Sequence, residues 1–577
     1  MVATATTVPL AVPVPQGLDL ESRSLVLSSL AEFGRRELTD EVLRTWDADN
    51  HFPEARVREL FGDELGLHLL FLPEDVGGLG AGARDICAVS EAMAALDLGV
   101  ATSVLATALG TDPIRVGGTP EQQAHWLGRI ADEGLLVAYG VTEPGAGSNV
   151  AALRSRAEPI LEHGEVTAYR LNGRKCFITN GSVADLYTVL ARAPGGPSFF
   201  VVERGTPGLE PGAKEQKHGI RASNTSDVML EDVVVPASHL LGGQEGQGLA
   251  QAAKVFGYTR LMVAAFGLGA GVDAQRRAVA YARERVQFDS PLTAKQGLTH
   301  KLLLPHIATL QAARAYIQEV ATRLDLGEPE LEIEASIAKL FACEAGNQAA
   351  DAALQVHGGY GFMRDYHVEK IRRDVRITTI YEGTSEIQQE VAGRGRWRQL
   401  LVGRGKLYLD LAAEMRSLGA VGATVGAPNV VRAAEALVEL IRRARQARLG
   451  RQQTVIFQLA DAVAALETAA ALVRKARRWQ DPSQRPADAN PAWPAILAAL
   501  SRVSTARAAE TVGTIAYRVL ASTGTLDAAA LAAETGPLHP GTVLAAWDGR
   551  LQDLDFLATQ LPEEDLLADP SLEDDHA

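Results

Sequence analysis

Cysteine is nearly absent from this chain. Its three cysteines, Cys87, Cys176 and Cys343, stand far apart without metal-ligand spacing, so neither a disulfide framework nor a zinc site is expected. Without paired cysteines, a reducing cytoplasm is the default compartment. The first twenty residues, MVATATTVPLAVPVPQGLDL, hold three prolines and no basic residue, which argues against a signal peptide. No apolar run reads as long enough to span a bilayer. Positive charge is in deficit: the net charge of −15 disfavours nucleic acid as a partner.

What remains is ordinary for a globular protein, with 47% hydrophobic and 22% charged residues. At 577 residues the chain exceeds what a single core supports. Residues 20–136 read as helical, because SLVLSSLAEFGRREL and AVSEAMAALDLGVATSVLATAL place apolar side chains three and four apart. Across 137–242 the texture changes to short β-branched or aromatic runs such as LYTVLARAP and SFFVVERG, a β unit between helical blocks. Helical periodicity returns over 243–400, Ala-rich and long enough for a four-helix bundle. A further helical block spans 401–560, interrupted by the proline-rich QDPSQRPADANPAWP, and an acidic tail at 561–577 reads as disordered.

Four short stretches carry candidate chemistry. TEPGAGSN at 142–149 has small residues that let backbone N–H groups approach a ligand, and the hydroxyls of Thr142 and Ser148; a structural turn reads equally from these residues. In KCFITNG, Asn180–Gly181 signals a hairpin turn, and Phe177 is either core or a ring that stacks on something flat. HGGYGF at 357–362 lacks the preceding strand of a dinucleotide fingerprint and also reads as a helix-ending loop. In TTIYEGTSEI one acid, Glu382, sits between Tyr381 and Gly383. Glycine disfavours helix by about 1 kcal/mol relative to alanine, so the chain is expected to bend there.

Taken in order, AYGVTEPGAGSN, LNGRKCFITNG, GIRASNTSDVMLEDVVVP, ARERVQFDSPLTAKQG, QVHGGYGFMRDYHVEKIRRD and IYEGTSEIQ resemble the acyl-CoA dehydrogenase flavoprotein family over roughly residues 25–395. Beyond 400, GRQQTVIFQLADAVAALETAAALVRKA is similar to the extra C-terminal helical domain of very-long-chain members. The implied fold is α+β: an N-terminal helical domain, a middle β-barrel-like domain, a C-terminal four-helix bundle, and the additional helical domain.

The resemblance implies FAD as cofactor, an acyl-CoA substrate of medium to long chain, an electron-transfer flavoprotein as acceptor, and a homodimer or homotetramer. Glu382 aligns with the catalytic base. Its backbone N–H is placed to hold the thioester oxygen, and burial is expected to raise its pKa. Some members carry the base on an earlier helix; here that position is Thr259, which cannot serve. Tyr139, Val141, Thr142, Gly147, Ser148, Phe177 and Thr179 are implied to line the flavin. Arg285, Gln287 and Phe288 would meet the cofactor's pyrophosphate and adenine from a neighbouring subunit, with Gln355, Gly358 and Gly359 in the same adenosine site. Thr384 and Glu386 would flank the diphosphate. Ser148, Arg260, Tyr381 and Gly383 are implied on the substrate side.

Asn149 replaces a frequent acid, and Asp289 stands where glycine usually follows Arg–x–x–Phe. Small residues Ala101, Thr102 and Ala106 leave room in the acyl pocket or serve packing. The basic run RRARQARLGR at 442–451 is a solvated helix face or a peripheral contact to anionic lipid. Three alternatives to a dehydrogenase are an acyl-CoA oxidase, an acyl-carrier-protein-thioester dehydrogenase, and a catalytically silent scaffolding relative.

Overall fold

The computed structural model describes residues 17–329, 331–485 and 489–569, without the side chains of 256–258. Most of the N-terminal segment read against a signal peptide, and the last eight residues of the acidic tail, lie outside the described residues.

Six helices open the fold: α1 (Leu20–Glu37), α2 (Asp40–Ala48), α3 (Glu54–Glu59), α4 (Ala83–Leu96), α5 (Leu98–Gly117) and α6 (Pro120–Glu133). Their starts are chemically specified. Asp19 and Asp97 accept from the backbone N–H groups of Ser22 and Val100, and Thr119 forms a capping box with Gln122 ahead of Pro120.

Seven strands follow: β1 (Val137–Gly140), β2 (Arg156–Glu162), β3 (Glu165–Thr179), β4 (Leu186–Ala193), β5 (Gly196–Glu203), β6 (Leu209–Pro211) and β7 (Thr225–Pro236). They pair in the order β1-β4-β2-β3-β7-β6, with β5 on β4. Alternation sends neighbouring side chains to opposite faces. Ala138, Ala157, Leu171, Val189, Phe200, Leu209 and Val233, one from each strand, share a cluster enclosed by the sheet, which is what a barrel-like curl provides. Their neighbours Val137, Leu186, Phe199 and Val201 pack instead on Ile114, Trp126 and Ile130 of α5 and α6. Asn180–Gly181 does not make the expected hairpin, since β3 and β4 are not paired. Asn180 is fully buried, with its side-chain amide donating to the Ser103 carbonyl, so the turn anchors on α5.

The next block comprises α7 (Gly248–Glu284), a short hairpin of β8 (Val286–Gln287) and β9 (Ser290–Pro291), the single turn α8 (Gln296–Leu298), α9 (Leu304–Asp325), α10 (Glu332–His357), α11 (Val368–Val375) and α12 (Ser385–Val402). α7, α9, α10 and α12 pack as a bundle around α10. The α7 and α10 backbones meet so closely that a Cβ on Gly346 would lie 1.9 Å from the Gly267 carbonyl oxygen.

The remaining helices are α13 (Lys406–Ser417), α14 (Gly419–Thr424), α15 (Ala427–Gln446), α16 (Gln453–Trp479), α17 (Trp493–Ser522), α18 (Ala528–Ala532), α19 (Pro540–Ala545) and α20 (Arg550–Gln560). α16 lies against α9, α10 and α12. A buried network stitches the two blocks: Glu467 accepts from Arg396 at 2.8 Å, Tyr408 at 2.7 Å and Tyr316 at 2.8 Å, while Arg396 also reaches Glu334 at 2.9 Å.

Three readings of the sequence need correction or sharpening. By length and composition two helices, α7 and α16, are long and apolar enough to cross a bilayer, contrary to the expectation of none. The most apolar windows of these helices are 100% and 72% buried in protein, so they serve as core. The start of the acidic tail is not a loose end either: Leu566, Leu567 and Ala568 are buried, and Gln311 donates to the carbonyls of Leu566 and Ala568. In the basic run, Arg442 and Arg443 pair with Glu439, and Arg443 also with Glu534, so these two cations have acidic partners within the chain.

Candidate active site

The turn before α12 places this acid. Glu382 has φ +53° and Gly383 φ +88°, two successive left-handed residues, and Thr384 then caps α12 by accepting from the Ile387 N–H. The φ of Gly383 favours glycine, and a Cβ there would lie 2.5 Å from the Gln388 side-chain amide, which would have to shift. That amide donates to the carbonyls of Glu382 and Gly383 at 3.0 and 3.2 Å, and Lys339 Nζ donates to the Gly383 carbonyl at 2.6 Å.

The Glu382 carboxylate meets α7. Thr259 Oγ1 donates to its Oε2 at 3.3 Å. Desolvation pushes the Glu382 pKa above the ordinary glutamate value, against the hydrogen bond from Thr259 and the charges of Lys339 and Arg260. The carboxyl is enclosed by protein atoms, yet the residue as a whole keeps partial exposure. Arg260 is buried and tied by Nη1 to Glu332 at 3.1 Å and Ser336 at 3.0 Å. Tyr381 packs near Thr102, and burial raises its phenol pKa.

The sheet supplies the opposite wall. Tyr139, on β1, stacks on Phe199 with ring centroids 5.8 Å apart. Burial raises its pKa, and the charges of Glu382 and Asp112 raise it further, which puts the ring within electrostatic reach of the acid. Val141 is buried, and the Thr142 carbonyl accepts from the Cys176 N–H at 3.0 Å, bringing the TEPGAGSN loop beside β3. Gly147 and Ser148 are exposed, and Cβ atoms on Gly145 or Gly147 would meet nothing within 4 Å. Phe177 stands on a β-bulge with φ +58° and 70% exposure, turned out from the sheet, while Thr179 pairs with Thr225 of β7.

Arg285, Gln287, Gly358 and Gly359 come together in a separate cleft of about 420 Å³, which none of the residues around Glu382 lines. Phe288 and Asp289, with φ +50° and +60°, form the two-residue turn between β8 and β9, leaving the Phe288 ring 91% exposed. That turn type needs positive φ at both central residues, which explains the usual glycine at position 289; aspartate is among the side chains that tolerate it. Gln355 does not line this cleft. It faces another cleft, of about 890 Å³, with Arg372, Arg376 and Thr379. Glu386 sits in the first turn of α12, where its own backbone N–H and the Thr384 hydroxyl lower its pKa and Arg376 adds to the effect. Its negative charge therefore has local compensation.

Sequence reasoning missed several residues. Glu143 and Lys175 form a buried pair at 2.7 Å that clamps the TEPGAGSN loop to β3. Burial opposes the charge on Glu143, but Lys175, Ser155 and the Arg154 N–H overcome it and hold the carboxyl at about 2. Both residues lay inside motifs already singled out, so an unexplained acid and base in paired motifs was the available signal. Tyr281, His357 and Tyr360 line the smaller cleft, with Tyr281 and His357 stacked at 4.4 Å; His357 and Tyr360 lie in the HGGYGF stretch, whereas no local pattern marks Tyr281. The exposed ring of Phe177, the open glycines at 145, 147, 358 and 359, and the Arg285 cation suit a flavin dinucleotide.

Models of the acyl-CoA dehydrogenase N-terminal, middle and C-terminal domains match residues 21–134, 138–233 and 246–396. An acyl-CoA dehydrogenase of Bacillus subtilis is 38% identical over 384 residues, covering 65% of this chain and 97% of its own. A cyclohex-1-ene-1-carbonyl-CoA dehydrogenase of Syntrophus aciditrophicus is 35% identical over 381 residues, covering 65% of this chain and 89% of its own. Among solved structures, butyryl-CoA dehydrogenase from Megasphaera elsdenii aligns with TM-score 0.61 and 34% identity over 65% of this chain and 97% of its own. An acyl-CoA dehydrogenase from Bacillus anthracis, complexed with FAD, aligns over 95% of this chain and 96% of its own with TM-score 0.79; at 24% identity that likeness concerns the fold, extra helices included. Matched by three successive domain models and by relatives covered almost end to end, this chain belongs to the acyl-CoA dehydrogenase family of FAD-dependent oxidoreductases acting on acyl-CoA thioesters.

Proposed function

We propose that this enzyme desaturates an acyl-CoA thioester between Cα and Cβ, with Glu382 as the base that takes the α-proton. The observation that carries this reading is a desolvated yet partly accessible Glu382 on a strained turn, facing a sheet that presents Tyr139 and the TEPGAGSN loop. FAD, held by the residues around the TEPGAGSN loop and Phe177, would supply the acceptor for the β-hydride. The protein's part is to orient and to move one proton. Raised basicity lets the carboxylate accept a weakly acidic α-proton near neutral pH. The Glu382 N–H, turned by two left-handed residues, is the donor for the thioester oxygen, where charge develops as the proton leaves. Phe177, Val141, Thr142, Gly147, Ser148 and Thr179 are assigned to the flavin, and Tyr381, Gly383 and Arg260 to the substrate side.

Arg285, Gln287, Phe288, Gly358 and Gly359 are assigned to a partner subunit's cofactor. Their separation from Glu382 and the 91% exposed Phe288 support a site completed by a second copy, in a homodimer or homotetramer. Thr384 and Glu386 are assigned to the diphosphate side, and Gln355 to the adenosine. An electron-transfer flavoprotein is the proposed acceptor in a cytoplasmic setting, and a medium or long acyl chain is the proposed substrate, in keeping with the small side chains of Thr102 and Ala106 on α5. The test is Glu382→Gln: flavin content is retained while acyl-CoA-dependent flavin bleaching falls at least a thousandfold. Normal turnover by that variant refutes the assignment.

A further inference from the structure

The cation nearest the Glu382 turn is held in an unusual way. Lys339 of α10 is completely buried, and its Nζ donates to the Gly383 carbonyl at 2.6 Å. Among the described residues no carboxylate lies within ion-pair distance of it, unlike the buried Lys175, Lys370 and Lys475, each of which touches an acid. An ammonium buried against a carbonyl with no carboxylate in contact is costly, desolvation lowering its pKa, and an apolar side chain of similar length would fill the space without that cost. Such a cation is found where its field is used, and perturbed charges of this kind cluster at functional sites. The contact is also specific in place. It falls on the second of two left-handed residues, Glu382 and Gly383, a conformation that a non-glycine residue holds only when its surroundings over-determine it.

We propose that Lys339 is a positioning residue for proton abstraction: it holds the Gly383 carbonyl so that the turn keeps the Glu382 carboxyl between Thr259 of α7 and Tyr139 of β1, and its charge keeps Glu382 ionised. The inference rests on Glu382 being the base. The groups facing that carboxylate are Thr259 and Arg260 from α7, Lys339 from α10 with Cys343 and Glu344 beyond it, Asp112 from α5, Tyr139 from β1 and the adjoining Tyr381. Arg260 is already paired with Glu332, which leaves Lys339 as the cation without a contact anion among them. The sign follows: a positive charge stabilises the carboxylate, so removing it makes Glu382 hold its proton to higher pH.

The experiment compares flavin-loaded wild type with Lys339→Met, Lys339→Gln and Lys339→Arg, reading kcat and KM from pH 5 to 9. It also follows the Glu382 carboxyl titration in the flavin-free proteins by infrared difference against Glu382→Gln in the same Lys339 background. In Lys339→Met, kcat at pH 7 is expected to fall ten- to a hundredfold with KM within about threefold, and both the acid limb and the infrared midpoint to move up by about one pH unit, a tenfold change in proton affinity. Lys339→Gln keeps a donor without the charge, so its midpoint moves up while its high-pH rate stays closer to wild type. Lys339→Arg returns the midpoint to the wild-type value. If Lys339→Met is too unstable to purify, the glutamine variant decides alone. A wild-type midpoint and acid limb in the charge-neutral variants overturn the proposal, whereas normal turnover by Glu382→Gln would overturn the base assignment instead.

Discussion

At the scale of single residues, the active site keeps a charge where folding would prefer none. Glu382 has a pKa raised by desolvation, so the folded state binds its proton more tightly than the unfolded chain does. That preference favours folding at pH below the unfolded glutamate value and fades as pH rises through the folded one, so the carboxylate opposes folding at neutral pH. Glu382→Gln is therefore expected to melt a few degrees above wild type at pH 7.5, with the gap closing by pH 4.5; scanning calorimetry at the two pH values checks it. Glu143 is the opposite case. Its depressed pKa gives stability that is present above the unfolded glutamate value and lost as pH falls toward about 2. Lys175→Met strands that carboxylate in the interior and is expected to cost about 3–5 kcal/mol, measured by urea unfolding, with Glu143→Gln/Lys175→Met recovering part of the loss.

At the scale of elements, the link between α11 and α12 decides where the acid points. Gly383→Ala meets both the left-handed φ and a Cβ position 2.5 Å from the Gln388 amide. Its expected outcome is a loss of kcat of about a hundredfold, with helix content by circular dichroism unchanged, because α12 keeps its Thr384 cap. Elements with strong periodicity were legible: the Ala-rich segments that became α7, α10 and α16 repeat apolar residues at helical spacing over many turns. The Asn180–Gly181 turn was legible as a turn but misread as a hairpin. Its partners, the Ser103 and Asn224 carbonyls, lie on other elements and leave no mark on the local sequence.

For the whole molecule, the extra helices and the chain's end act as a brace. The segment after α20 runs back across α9, where Gln311 and Arg314 hold its carbonyls, and Asp569 meets the buried Lys475 at 2.8 Å. Ending the chain at residue 561 removes the partner of Lys475 and uncovers the apolar seat of Leu566 and Leu567. The expected result is a loss of about 2–5 kcal/mol and faster amide exchange in α9 and α16, with flavin spectrum and kcat near wild type. Acidic composition made this stretch read as disordered, because Leu566 and Leu567 are outnumbered locally by charges whose partners are remote.

The sequence by itself determined the order of helical and β blocks, the family motifs and the identity of the acid, Glu382, since helical and strand periods and short motifs are local properties of a chain. Only the tertiary structure decided what that acid experiences. Thr259 and Lys339 reach the Glu382 turn from 123 and 44 residues away, and a carboxylate's basicity is set by the charges, donors and low-dielectric surroundings that folding brings to it.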